Sequence, residues 1–275
     1  MPELPVNGTV LHYDEFGAGS TVVVSAQQEF GTPNFLEHLD DAHVYAIRLR
    51  RLSKTDEEPG EDLEPRWYAR WAADVFAATQ ALGLTDFVYT GVSHGAVIGW
   101  HLAVEHPGLL RSLAAIVGVP PPRSRSSSGP SGRASQIAAR QDPVALRNNV
   151  ERLFGPTTDP ARRARQQRMI DERVRRVLAT PLEEAAVNLG IGFPDVKTDD
   201  ELARLLAGIH IPTLIIGGMH DPWVIPDRLI WTARRVRDCK LVIYGDESHL
   251  LATESPARVA DDISLFIRSG RREAE

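Results

Sequence analysis

The chain holds one cysteine, Cys239, in 275 residues. A single thiol excludes an internal disulfide and a metal site built from cysteines. It also fits a reducing compartment. Nowhere do 18 apolar residues run together, so no transmembrane helix is expected. The opening stretch MPELPVNGTVLHYDEFG has early acids and no apolar core. A signal peptide is therefore not expected, and a cytoplasmic location is. Basic residues are in deficit, with 31 Lys+Arg against 37 Asp+Glu and a net charge of −6. Binding to nucleic acid needs a basic surface to neutralise phosphates, so that class of partner is disfavoured. What the chain has is a 43% hydrophobic fraction. That is ample for a packed core and too high for a disordered chain. The length suits one large or two small domains. The expected partner is a small molecule, with neither nucleic acid nor membrane; a homodimer stays open.

Charge is unevenly spread. Residues 121–180 contain 13 arginines, no lysine and five acids, a net of +8. The remainder carries 18 basic and 32 acidic residues, a net of −14. An acidic body thus carries a basic insert. The ordinary reading of such arginines is a solvated helix surface. The sharper one is steering of an anionic substrate.

Apolar periodicity gives the elements. Thr9–Phe16 and Thr21–Ala26 read as a hairpin feeding a buried strand. Val44–Leu49, Phe87–Thr90, Ser112–Val117, Ile211–Ile216 and Lys240–Tyr244 are further strand candidates. Asn34–Leu39, Trp67–Leu82, Ala96–Glu105, Pro226–Val236 and Pro256–Ile267 read as helices, the last two with proline in the first turn. Lys54–Pro65 is an acidic, Pro/Gly-punctuated surface loop. Trp67 and Trp71 lie on a helix stripe and are expected in the core. Strands alternating with helices imply an α/β protein with a mostly parallel sheet flanked by helices.

The alternation breaks over 121–207. Arg123–Gln136 is low in complexity. Asp159–Ala179 is a long Arg-rich helix, with Met169, Ile170, Arg173, Val174, Val177 and Leu178 in one stripe that has a single polar break. A further helix is expected over Pro181–Leu189. The expected division is a body of residues 1–120 and 208–275 with a helical insert at 121–207.

Gly91-x-Ser93-x-Gly95 falls between a strand and a helix. Glycines two positions either side of Ser93 remove Cβ atoms that would clash in a sharp turn. Such a turn lifts the hydroxyl above the strand ends and brings the His94 N–H near a reacting carbonyl. A serine hydroxyl is a weak nucleophile that needs a base, and the base needs an orienting carboxylate. Asp221 in GGMHDPWVIP and His249 in GDESHLLATESP each follow a late strand, at the sheet edge where open α/β folds carry their sites. Asp246 and Glu247 are rival acids close to His249. A zinc site from His94, His220 and His249 lacks ligand spacing.

These pieces identify a resemblance. From about Val10 to Ile267 the chain resembles the α/β-hydrolase fold superfamily, with the insert where that family places its cap or lid. The resemblance implies Ser93 as nucleophile, Asp221 as acid and His249 as base, with no metal or organic cofactor. It departs at Ser25-Ala26-Gln27-Gln28, where the family usually has His-Gly before the second oxyanion donor. By position Gln27 gives that backbone N–H, with Gln28 the fallback and His94 the partner donor. It departs again at Leu49-Arg50-Arg51-Leu52-Ser53, which leaves the burial of Arg50 open. Gln28, Phe193, Met219 and Trp223 are candidate pocket walls.

The expected activity is hydrolysis of a small or medium, mainly apolar carboxylic ester or lactone. Related chemistry on the same fold stays open: a C–C bond hydrolase, a perhydrolase, an acyltransferase or a cofactor-free dioxygenase, the last suggested by Ser-His-Gly at the elbow. A ligand receptor or pseudoenzyme is the alternative from another class.

Overall fold

The structure is a computed structural model that describes residues 1–31, 34–52, 66–125, 138–185, 187 and 189–272. The loop Lys54–Pro65 and most of Arg123–Gln136 lie outside the described residues.

Eight strands form one sheet: β1 (Glu3–Val6), β2 (Thr9–Phe16), β3 (Thr21–Gln27), β4 (Ala42–Arg48), β5 (Phe87–Val92), β6 (Leu110–Ile116), β7 (Thr213–Gly218) and β8 (Cys239–Tyr244). Their order is β1-β2-β4-β3-β5-β6-β7-β8. β1 and β2 run antiparallel to their neighbours, and every pairing from β4 to β8 is parallel. Successive residues of a central strand enter opposite cores. Val24 and Ala26 of β3, with Phe87 and Tyr89 of β5, join one apolar cluster. Val23 and Val88 join the other. Burial on both faces explains why these strands read as continuous apolar runs.

The edge corrects the sequence reading. β2 does not pair with β3; β4 lies between them. The true hairpin is β1–β2, closed by Asn7 and Gly8, both at positive φ (44° and 72°). Asn-Gly is the strongest short hairpin signal, because both central residues of a type I′ turn need φ > 0. The Gly17-Ala18-Gly19 segment instead docks on the start of β4. Gly19 N–H donates to Ala42 O at 3.1 Å and Thr21 N–H to Asp41 O at 3.0 Å. This hands β3 to β4 in parallel register.

α1 (Trp67–Ala81) and α2 (His94–Glu105) cover one face, and α9 (Pro256–Arg272) supplies Val259, Ile263 and Phe266 to the other. Trp67 and Trp71 are buried, as the stripe predicts. Arg50 is also largely enclosed and grips the buried Asp74 through Nε at 2.6 Å and Nη2 at 2.8 Å.

Between β6 and β7 come α3 (Pro143–Glu151), α4 (Pro160–Ala179), α5 (Leu182–Ala185) and α6 (Asp199–Ala207). Asp142 and Asp159 cap α3 and α4, each followed by proline in the first turn. Leu146, Val150, Leu153, Phe154 and Ile170 form a third apolar cluster, against which Trp223 and Leu250 of the body pack. Within the helix expected over Pro181–Leu189, the described helical residues are the four of α5. Glycines at 190 and 192 and a Phe193 at φ 57° follow, a backbone no helix continues through.

Sequence reading also passed over α6. Its signal is a capping box, in which Glu201 N–H donates to Thr198 Oγ1 at 3.2 Å and Thr198 N–H to Glu201 Oε2 at 3.1 Å. Leu202 and Leu206 of α6 belong to the same cluster as Trp100 and Leu102 of α2. The final helices are α7 (Pro226–Ala233) and α8 (Leu251–Glu254), before α9. Among the described residues no helix is long and apolar enough to cross a membrane.

Candidate active site

The turn from β5 to α2 places Ser93 at φ 53°, ψ −113°, a conformation costly for a side-chain-bearing residue. The surrounding packing holds it there. Gly95 faces the end of β3, where an added Cβ would lie 2.5 Å from Ala26 O and 2.8 Å from Gln27 Nε2. Tyr89, fully buried, donates its hydroxyl to Gly95 O at 2.9 Å. Gly95→Ala is therefore expected to destabilise the protein by about 1–3 kcal/mol through overpacking. A lowered thermal midpoint in calorimetry checks this.

Asp221 follows β7. Its Oδ1 accepts the N–H groups of Trp223 at 2.8 Å and Val224 at 2.9 Å. Its Oδ2 accepts Nδ1–H of His249 at 2.7 Å. With Nδ1 protonated, Nε2 is left bare to accept the Ser93 hydroxyl, 3.1 Å away. Asp221 and His249 are 2% and 4% exposed, so this relay is shielded from bulk water. Burial raises the Asp221 pKa, but His249 and the two N–H donors outweigh it and hold the carboxyl below its ordinary value. Trp223 meets the His249 ring edge-on at 4.7 Å and limits its rotation.

The rival acids are occupied elsewhere. Asp246 pairs with Arg258 at 2.9 Å and Arg162 at 3.3 Å. Glu247 Oε1 accepts Ser255 Oγ at 2.5 Å, and Oε2 stands 2.9 Å from Arg162 Nη2 without hydrogen-bond alignment. Burial pushes the Glu247 carboxyl up to about 7, against its ordinary 4.5. The folded state therefore holds a proton that the unfolded chain releases near pH 4.5. Stability from this group is highest below 4.5 and is lost as pH rises towards 7. Glu247→Gln is expected to flatten that decline, read as the thermal midpoint across pH 5–7. Arg162 of α4 also binds Glu254 at 3.1 Å, and Leu250 N–H donates to Leu153 O at 2.9 Å. The insert and the His249 loop are thus tied directly together.

Ser93 and His249 open on a cleft of about 1530 Å³. Gln27, Gln28, His94 and Trp223 line it. The His94 ring lies against Trp71, centroids 5.6 Å apart. Two expected pocket walls are not there. Phe193 is buried and stacks on His101 at 4.2 Å, and Met219 is 49% exposed outside the lining. Phe193 has a positive φ of 57°, and Met219 is the first residue past β7. Eight arginines share the lining with apolar residues such as Phe30, Leu189 and Trp223, so the enclosure is not mainly apolar as expected.

The strand alternation also bears on the second oxyanion donor. Gln27 O accepts Leu49 N–H on the β4 side at 2.8 Å. A strand residue presents its N–H and C=O to the same neighbour, so the Gln27 N–H faces β4 and not the elbow. Gln28, the fallback, is the first residue past β3 and lines the cleft. The Gln27 side chain donates to Val92 O at 2.7 Å and braces the elbow from below.

Comparison with known proteins agrees with this architecture. A family model described as the alpha/beta hydrolase fold matches residues 25–256. Among curated protein sequences none matches the chain. Similar solved structures include a malate-bound thermophilic esterase from Thermogutta terrifontis, 22% identical with a TM-score of 0.70, covering 95% of this chain and 94% of that one. An enol-lactonase from Burkholderia xenovorans is 19% identical with a TM-score of 0.68, covering 97% and 100%. A meta-cleavage product hydrolase from Pseudomonas fluorescens is 13% identical with a TM-score of 0.71, covering 98% of each chain. At these identities the likeness extends to the fold alone. The family match spans the elbow serine and both residues hydrogen-bonded in line with it, and on that match the chain belongs to the alpha/beta hydrolase fold family.

Proposed function

We propose that the protein hydrolyses a carboxylic ester or lactone through Ser93, His249 and Asp221. The observation that carries this is the line of hydrogen bonds from Asp221 through His249 to Ser93, at 2.7 and 3.1 Å, opening on a single cleft. His249 Nε2 takes the hydroxyl proton as Ser93 Oγ attacks the carbonyl carbon. Asp221 fixes the ring tautomer and stabilises the imidazolium. The backbone N–H groups of His94 and Gln28 receive the oxyanion. His249 returns the proton to the leaving alkoxide. It then deprotonates water, which cleaves the acyl-serine and releases the acid. The insert acts as a cap: Arg173, Arg176 and Val177 of α4 form a wall of the cleft that holds Ser93. The esterase and the enol-lactonase among the similar structures point to the same bond class.

The test is a panel of p-nitrophenyl esters and lactones followed by nitrophenol or acid release. The expected result is multiple-turnover hydrolysis of at least one ester or lactone of the panel. Turnover of a C–C bond substrate or oxygen uptake, with every ester and lactone inert, would overturn the reading.

A further inference from the structure

We infer that Arg173 is an anion-recognition residue, and that the ester or lactone turned over at Ser93 carries a carboxylate in addition to its scissile carbonyl. The inference rests on the hydrolytic reading above and names the substrate class for it.

Arg173 is the polar break in the apolar stripe of α4. Met169, Ile170, Val174 and Val177 of that stripe pack against the third apolar cluster, so Arg173 shares their inward direction. It lines the same cleft as Ser93, His249 and Gln28. Among the described residues no carboxylate lies within ion-pair distance of it. Its Nε is enclosed and meets no acceptor.

Of the seven other lining arginines, Arg51 and Arg152 are exposed and the remaining five have a side-chain or carbonyl partner. Arg48 binds Asp14 at 2.8 Å, Arg50 binds Asp74 at 2.6 Å, and Arg176 binds Glu29 at 3.0 Å. Arg140 donates to Leu178 O and Thr180 O, and Arg228 to Trp223 O. Burial, aided by Arg176, pulls the Arg173 pKa down, with Glu29 opposing. A guanidinium nevertheless stays protonated.

A partly buried cation whose enclosed Nε has no acceptor is costly, and such charges in proteins are normally paired. Among the described residues the lining holds two acids, Glu29 and Glu184, against eight arginines, a surplus of positive charge that suits an anionic ligand. The planar fork of a guanidinium matches a carboxylate through two parallel N–H···O bonds. The surplus positive field of the lining draws such a ligand in. The acidic body around the cleft, net −14 outside residues 121–180, makes that local surplus the more selective.

The experiment compares p-nitrophenyl monoesters of succinate, glutarate and adipate with neutral p-nitrophenyl esters of matched length. For the wild type kcat/KM is expected to favour at least one anionic ester by about tenfold or more, the scale of a charge-assisted hydrogen bond. Its KM should rise with added NaCl while that of the neutral ester does not. Arg173→Met is expected to lower the anionic-to-neutral ratio of kcat/KM by about ten- to a hundredfold, and Arg173→Lys to retain part of it. Taking a ratio within one protein removes any general loss of folding or active fraction. The salt titration needs no variant. Equal kcat/KM for both series in the wild type, or an unchanged ratio in Arg173→Met, would overturn the inference. Fluorophosphonate labelling of Ser93 separates the two readings. A labelled, ester-cleaving protein with no anionic preference loses only the Arg173 assignment. An unlabelled, inert one loses the hydrolytic reading itself.

Discussion

Ser93→Ala is expected to lower kcat for ester hydrolysis by about 10⁴- to 10⁶-fold, the scale seen when an acyl-transfer nucleophile is removed. The size follows from what alanine deletes. Among the described residues no other hydroxyl is hydrogen-bonded to His249 Nε2, which accepts from Ser93 Oγ at 3.1 Å. Water in the vacated position is neither covalently tethered nor pre-aligned, so the effective concentration of the nucleophile is lost. The oxyanion donors and the cleft remain, and they account for whatever residual rate survives. Folding is expected to hold or improve slightly. Ser93 sits at φ 53° with its backbone N–H bonded to Ile116 O at 2.8 Å, and alanine keeps that bond. Steady-state kinetics beside a melting curve test both halves of the prediction.

Asp221→Asn is expected to reduce kcat by about 10⁴-fold with little change in fold, through the wrong imidazole tautomer. Asp221 does two jobs with separate oxygens. Oδ1 accepts the Trp223 and Val224 N–H groups, and the Asn carbonyl reproduces this. Oδ2 accepts His249 Nδ1–H, and there an Asn amide presents a donor instead. The ring then protonates at Nε2 and has no lone pair for the Ser93 proton. The same interactions set an acid limit. Asp221 has a depressed pKa in the folded state. Its contribution to stability is therefore present above the ordinary 3.8 and lost only as pH falls below that value. Across the neutral range it stays ionised. A pH–rate profile of kcat/KM in the wild type should thus show no limb from Asp221 across the neutral range.

Much of this site is legible in the chain because it sits at strand ends. GVSHG marks its own strand–turn–helix, and Asp221 and His249 each follow a run of buried β-branched or aliphatic residues. Chain order then brings the three to one sheet edge. What resists reading is whatever depends on strand order or on side chains meeting from distant segments. The pairing of β2 with β1 follows from a turn dipeptide, Asn7-Gly8, and leaves the other edge of β2 to pair with β4. The direction of the Gln27 N–H follows from which neighbour β3 bonds at its last residue. Phe193 is a candidate pocket wall from the sequence, yet it stacks on His101. Arg173 was visible as a break in an apolar stripe. The periodicity says it faces inward, but the fold is needed to show that no acid among the described residues pairs with it.

The claim that everything else depends on is a covalent acyl-serine at residue 93. Its most direct test is incubation of the folded protein with a fluorophosphonate, followed by intact mass and peptide mapping. The account predicts one adduct per chain, on Ser93, with hydrolysis lost in proportion to labelling. An unlabelled protein that still cleaves esters, or an adduct elsewhere with Ser93→Ala as active as the wild type, would contradict it.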